Sequence, residues 1–427
     1  SMQPEVNNPS GFRGTMNAPS DRLQAPVSTP EFVALLALLF SLVALSIDAM
    51  LPAIGTIARE LGAAHDNDRQ LIIGVLFLGL AVGQLVYGPL SDGIGRKPSI
   101  FIGLAFFIAG TVLAALAETF PLMLLGRALE GFGAAAPRIV AVAMVRDLYE
   151  GRAMARIMSL ATSIFILVPV LAPALGQGIL LIAHWRMIFL LLLAMAVLSV
   201  IWLGLRQPET LPPERRSSLA PSRILRGMME VMRDRQALGY TLATGMIFAA
   251  FVAYLQMSQQ IFAEFYGKTH TFPFYFGLLV AAIGLASIVN ARLVMKHGMR
   301  RLAWLALLAC SLVAAALLAV SLVYAGKPPF WSFIASFMAL FFFNGLLYGN
   351  FNALAMENMG HIAGTASAVV GAVPTFISMA IGSLIARAYD ASVIPLVLGF
   401  AVCSLLALAF MALAEAGAGG GVRLSEK

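Results

Sequence analysis

The stretch Gly88-Pro89-Leu90-Ser91-Asp92-Gly93-Ile94-Gly95-Arg96-Lys97 separates two long apolar runs, Gln70–Tyr87 and Pro98–Leu116. Hydrocarbon does not tolerate unsatisfied backbone or so dense a set of charges. The stretch therefore reads as a short connection at a membrane surface, and the runs beside it as spanning helices. A phosphate-binding loop is the rival reading. It fails because no strand pattern precedes the glycines and the spacing is not G-x-x-x-x-G-K-[ST].

Composition agrees with this along the whole chain. Of 427 residues 60% are hydrophobic and 11% charged, with mean hydropathy +0.88. Soluble domains carry about 25% charged residues. An outer-membrane barrel needs alternating strands of about ten residues, whereas the apolar runs here are continuous and longer. Twelve such runs lie between Phe32 and Ala414, each supplying roughly the 20 residues that a bilayer core requires. The fold class expected is an all-α polytopic membrane protein with twelve transmembrane helices in two six-helix halves.

Lysine and arginine set the orientation. Connections after even-numbered spans carry fifteen of them, including Arg96, Lys97, Arg146, Arg206, Arg215 and Arg301. Connections after odd-numbered spans carry six, among them Arg59, Arg69 and Arg387. The even connections and both termini are thus expected in the cytoplasm. The same bias accounts for the net charge of +7. The arginines are scattered without interleaved aromatics, so no nucleic-acid partner is expected.

The organisation expected is a cytoplasmic tail over 1–30, a six-helix bundle over 31–206, a linker over 207–236, a second bundle over 237–415 and a tail over 416–427. Within the linker, Ile224, Met228, Val231 and Met232 have helical spacing and predict an amphipathic helix on the inner leaflet. The second bundle echoes the first. Ala291-Arg-Leu-Val-Met-Lys-His-Gly-Met-Arg repeats the opening stretch 203 residues later, with Met295 where Asp92 stood. Cys310 and Cys403 fall in spans and read as small apolar residues. No metal and no cofactor are expected, with protons the only coupling ion.

Ionisable groups inside a span cost about 2.5–3.5 kcal/mol or more at its centre, so each needs a reason. The deepest are Asp48 in span 1 and Arg127 and Glu130 in span 4, with Arg138 three turns below Arg127. Asp48 is six residues short of the end expected for its span and Arg127 six from the start of its own, so the two sit at equal depth. Desolvation favours a protonated carboxyl and a neighbouring guanidinium the ionised form. A conformational change that alters either would load and release a proton, with permanently charged Arg127 setting the balance. The bland alternative is a structural ion pair between spans 1 and 4. Glu130, one turn from Arg127, is the candidate for its local partner.

Span 5 contains Val168-Pro-Val-Leu-Ala-Pro-Ala-Leu-Gly-Gln-Gly. Pro169 and Pro173 each remove a backbone donor and bend the helix, and Gly176 permits close approach of a neighbour. For the central binding cavity, expected near the midplane between the halves, the candidates are Tyr254, Gln256 and Gln259 in span 7 and Asn344, Tyr348, Asn350 and Asn352 in span 10. Polar groups in spans are also common helix–helix hydrogen bonds.

Several motifs together carry a family resemblance. They are G-x-L-x-D-x-x-G-R-K at 88–97, Arg127-x-x-Glu130-Gly131, Leu45-Ser-Ile-Asp-Ala-Met-Leu-Pro-Ala, Met144-Val-Arg-Asp-Leu-Tyr, Glu209-Thr-Leu-Pro-Pro-Glu-Arg-Arg and Ala363-Gly-Thr-Ala-Ser. The chain resembles the major facilitator superfamily, and within it the Bcr/CflA subfamily of bacterial drug:proton antiporters. The resemblance implies a multi-pass inner-membrane exporter alternating between inward and outward states to expel small drug-like molecules of the bicyclomycin or chloramphenicol type; a monomer is the default expectation. It implies a conformational latch formed by Gly88, Asp92, Gly95, Arg96 and Lys97, with Arg146 as the physical candidate to pair with Asp92. It also makes span 5 an antiporter helix, although Ala172 and Gln177 depart from the usual glycines. Gly93 stands where an arginine is common. The second half lacks a deep acid, so neutral or weakly charged amphiphiles are the expected substrates. A proton-linked nutrient symporter or facilitator is the alternative, then a non-transporting sensor. No nucleophile–base constellation suggests an enzyme.

Overall fold

The computed structural model describes residues 27–217 and 221–416. The expected tails over 1–30 and 416–427 therefore lie almost wholly outside the described residues.

Among the described residues twelve helical spans cross the molecule, eleven of them long and apolar enough by length and composition and the twelfth with a shorter apolar core at Ile166–Ile182. The first is interrupted. Helix α1 (Thr29–Asp48) ends at Asp48, a turn and a short 3-10 segment follow, and α2 (Ile54–Glu60) completes the crossing. Pro52 explains the break. It has no N–H to donate to the carbonyl of Asp48, and its ring crowds that carbonyl. The span runs to Glu60, six residues beyond the end expected, so Asp48 lies deeper than its sequence position suggested.

Helices α3 (Leu71–Ile94), α4 (Arg96–Ala115), α5 (Phe120–Leu148), α6 (Gly151–Ile182) and α7 (Arg186–Arg206) follow. The linker carries α8 (Pro221–Arg233). Then come α9 (Arg235–Gln259), which runs on into a π turn at Gln260–Phe265, and α10 (Phe272–His297), α11 (Met299–Val323), α12 (Phe330–Met356), α13 (Ala363–Arg387) and α14 (Ile394–Ala416). The opening stretch is less of a loop than expected. Helix α3 continues through Pro89 to Ile94, and only Gly95 lies between it and α4. Gly95 adopts φ 112°, a conformation that glycine reaches without a Cβ penalty.

Packing repeats along the chain. In the first six spans α1 packs on α6 and α7, α5 on α3 and α4, and α4 on α7. In the last six α9 packs on α13 and α14, α12 on α10 and α11, and α11 on α14. Each partnership in the first set has its counterpart in the second. The two sets meet along α3 against α13 and α6 against α10. Helix α8 lies against α13, with Val231 buried and Glu230 bonded to His361, while Leu225, Met229 and Met232 stay exposed. We call the side that carries the Gly95 turn the basic face, and the other the opposite face.

Candidate functional site

A cavity of about 430 Å³ lies between the two sets of helices. That volume falls within the roughly 300–1,000 Å³ usual for small-molecule sites. Its wall is mainly aromatic and aliphatic: Phe77 of α3, Phe248 and Phe251 of α9, and Phe276 of α10. Asp48 stands in this wall, at the broken end of α1, and is 5% exposed. Among the described residues no donor lies within hydrogen-bond distance of its carboxylate. Pro169 of α6 also faces the cavity. On the half nearer the basic face the lining includes Arg138, Ser287, Asn290 and Tyr348, and Tyr348 is 45% exposed.

Arg127 and Glu130 are elsewhere. Both are 0% exposed and neither faces the cavity. The Nη1 of Arg127 donates to Glu130 Oε2 at 3.0 Å, its Nη2 to the carbonyl of Ser46 at 2.5 Å, and its Nε to that of Ile72 at 3.3 Å. The expected approach of Arg127 to Asp48 is thus replaced by a local pair with Glu130. The guanidinium reaches α1 two residues before Asp48, through backbone rather than carboxylate. Gly176 of α6 sits where α1 breaks: a Cβ there would lie 2.0 Å from the carbonyl oxygen of Ala49. Pro173 lies one turn before it in the same helix.

Of the residues expected to bind substrate, Asn344 and Tyr348 line the cavity and Tyr254, Gln256 and Gln259 do not. Tyr254 is fully buried among Phe276, Phe337 and Phe341. Gln256 donates to Ser383 of α13 at 3.1 Å. Gln259 accepts from Arg69 at 3.2 Å. Asn350 pairs with Asn290 at 2.8 Å. The cavity side of α9 is instead the apolar set Ile247, Phe248, Phe251 and Leu255. Their helical spacing was visible, but an apolar face on a spanning helix reads equally as lipid-facing.

Gln259 belongs to a polar seal on the opposite face. Arg69 pairs with Glu264 in the π turn. Gln70 donates to Gln260 at 2.8 Å, Gln260 to Asn67 at 3.0 Å, and Asn67 to the carbonyls of Arg387 and Tyr389 at 3.2 and 3.0 Å. Helices from both sets are tied together there, between the cavity and the opposite face.

On the basic face Arg96 is the hub. It pairs with Asp92, donates from Nε to Asp147 Oδ2 at 2.8 Å and from Nη1 to Ser91 Oγ at 3.0 Å. Glu209, from the linker, accepts the backbone N–H groups of Arg96 and Lys97. The Nζ of Lys97 donates to the carbonyl of Gly204 at 2.9 Å. Gly88 faces Ala368 of α13, and a Cβ built on Gly364, in the first turn of α13, would lie 3.2 Å from Asp92 Oδ2. Arg146 is not in this cluster. It is exposed, with no carboxylate at ion-pair distance among the described residues; Arg96 takes the pairing with Asp92 expected of it, and the neighbouring Asp147 is a second acceptor for Arg96. A helix turns successive residues about 100° apart, so with Asp147 turned into the cluster Arg146 is turned out of it.

Comparison with known proteins adds to this geometry. Residues 36–383 match the Major Facilitator Superfamily. An "uncharacterized MFS-type transporter YdgK" of Bacillus subtilis is 30% identical over 82% of this chain and 87% of its own. A "bicyclomycin resistance protein homolog" of Haemophilus influenzae is 28% identical over 89% of this chain and 95% of its own. The crystal structure of the human organic anion transporter MFSD10 (TETRAN) aligns with TM-score 0.69 at 18% identity, covering 91% of this chain and 100% of that one; it shows a shared fold. With its twelve spans, its packing repeated between the two sets of helices and its central cavity, the chain belongs to the Major Facilitator Superfamily of multi-pass membrane transporters, and its resemblance is to the Bcr/CflA branch.

Proposed function

We propose that this protein is a proton-coupled efflux antiporter of small amphiphilic, drug-like molecules, working by alternating access in the bacterial inner membrane with both termini cytoplasmic. It acts as a monomer, without cofactor and without catalysis. The relative named for bicyclomycin resistance supports the substrate class. The observation that carries the coupling is Asp48. Its carboxylate lies in the cavity wall with no hydrogen-bond donor among the described residues. An unpartnered carboxyl at such a depth is stable only when protonated, met by water, or matched by a cation on the ligand. Proton and substrate then exclude one another at a single group, which is the requirement for exchange. The seal at the opposite face and the cavity's reach toward the basic face suit a state that collects substrate from the cytoplasm.

The test is Asp48→Asn in proteoliposomes with an imposed pH gradient. Export should stop while substrate binding stays measurable. Gradient-driven export at the wild-type rate would refute the coupling. Movement of substrate with the proton, rather than against it, would favour a symporter.

A further inference from the structure

We infer that the cavity is built for amphoteric substrates, with a cationic amine at Asp48 and an anionic group at Arg138 on opposite ends of an apolar or aromatic body. This rests on reading the cavity as a transport site and adds to it a class of ligand and a specificity-determining residue.

Arg138 carries the argument. Arg138 is partly buried, and the buried arginines each have a carboxylate: Arg69 has Glu264, Arg96 has Asp92 and Asp147, and Arg127 has Glu130. Arg138 faces the cavity, and among the described residues no carboxylate lies at ion-pair distance from it. Its guanidinium cannot lose its proton. A permanent cation placed along a membrane cavity without a counter-ion calls for an anion from outside the chain.

Asn344 is the second observation. It is 7% exposed and lines the same cavity from α12. Its Oδ1 accepts from the Cys310 thiol at 3.7 Å, while its Nδ2 has no hydrogen-bond partner among the described residues. A buried donor left without an acceptor costs about 1–3 kcal/mol, so the site is incomplete until an acceptor arrives. A carboxylate or carbonyl oxygen supplies one.

Asp48 and Arg138 are not each other's partners. Arg138 lies 11 residues beyond Arg127 on α5, about 16 Å along the axis. The guanidinium of Arg127 is at the level of Ser46, next to Asp48 on α1. The acid and the base therefore mark separate levels of one cavity, with Phe77, Phe248, Phe251 and Phe276 also in its wall. The aromatic walls suit an aryl body.

The charges also fix the sign of coupling. An ammonium at Asp48 competes with the proton there, which gives exchange. A simple anion at Arg138 leaves the proton in place and is drawn more strongly to a protonated Asp48, so it would move with the proton. A simple cation satisfies Asp48 but is repelled by Arg138 and leaves it unmatched. Only the amphoteric molecule both displaces the proton and satisfies the base.

The experiment uses purified full-length protein and three probes with one body: an aryl-piperazine carboxylic acid, its methyl ester (cation only) and its N-acetyl derivative (anion only). Binding is read by equilibrium dialysis and transport in proteoliposomes. Wild type should bind the parent acid about tenfold or more tighter than the ester, the order of magnitude of one lost charge-assisted hydrogen bond. Arg138→Gln should bring the ratio near one, and Arg138→Lys should restore part of it. A ratio unchanged in Arg138→Gln, equal binding of acid and ester by wild type, or no binding of the parent acid would each overturn the inference. Failure of the efflux reading looks different. The binding ratio would keep its dependence on Arg138, but no probe would move against a proton gradient.

Discussion

Glu209 Oε1 and Oε2 accept the backbone N–H groups of Arg96 and Lys97 at 2.9 and 3.0 Å. A linker carboxylate thus closes the exposed start of α4, where the first-turn N–H groups have no partner within the helix and negative charge is favourable. The same carboxylate lies against Gly95, where a Cβ would come within 2.7 Å of it. The linker is therefore part of the turn between α3 and α4, not a tether passing by it. Losing such a cap costs about 1 kcal/mol. Glu209→Ala should lower the thermal midpoint in detergent by a few degrees and slow turnover, while Glu209→Gln, which keeps an acceptor oxygen, should lose less. A midpoint unchanged in Glu209→Ala would show that the cap is not holding the turn.

Arg127 and Glu130 form a pair with no solvent exposure on either side chain. Removing one member of such a pair leaves a buried uncompensated charge, at about 3–5 kcal/mol. Arg127→Met and Glu130→Met should each destabilise the protein severely, measured as thermal unfolding or as yield of folded protein. The double variant should be more stable than the sum of the two losses predicts. It should not return to wild type, because the carbonyls of Ser46 and Ile72 also lose the donor that Arg127 gives them. Strict additivity would mean that the two side chains do not act on one another.

The spans and the surface turn were legible in the sequence because each rests on local chemistry, apolar length and charge density; the break of the first span at Pro52 was not read, because the apolar run continues through it. The site was half legible. Asp48 stood out because a lone acid in an apolar run has no cheap explanation. Its surroundings did not, because contact between helices depends on rotation about their axes, which twelve apolar helices leave open. That is why Tyr254, Gln256 and Gln259 pack away from the cavity while Phe248 and Phe251 line it. It is also why Arg96 rather than Arg146 pairs with Asp92, and Asp147 joins it. Glu209 was missed for another reason. A residue 112 positions from Lys97 in sequence gives no periodic signal of its contact.

Gly176 and Gly178 sit two residues apart in α6 and should respond oppositely. A Cβ on Gly176 would stand 2.0 Å from the Ala49 carbonyl, which belongs to backbone and cannot swing aside, while one on Gly178 meets nothing within 4 Å. Gly176→Ala must push α6 away from the turn that follows Asp48. It should reduce transport at least about tenfold and lower stability on the scale of overpacking, about 1–3 kcal/mol. Gly178→Ala should be neutral or stabilise by up to about 1 kcal/mol, since alanine is the better helix former. Equal tolerance of both substitutions would refute the close approach of α6 to α1.

The seal at the opposite face gives the last prediction. Arg69 has a side chain 7% exposed, and it holds Glu264 and Gln259 from α9 and its π turn. Arg69→Ala removes both contacts at once and leaves two acceptors on the other side unpaired, so it disfavours the sealed state. It leaves the Arg96 cluster on the basic face intact. The equilibrium between states should therefore move toward opening at the opposite face, since a change that weakens one state alone shifts the populations. A cysteine at Phe77, in the cavity wall, reports this directly, because Cys310 and Cys403 are both buried and should stay silent. A membrane-impermeant maleimide added from the opposite face should label Phe77→Cys several-fold faster in the Arg69→Ala background. Glu264→Gln should raise the rate less, because its partly exposed carboxylate contributes less as an ion pair and the amide still accepts from Arg69. Labelling that stays constant in Arg69→Ala would mean that helix packing alone, chiefly α3 against α13, keeps that face shut.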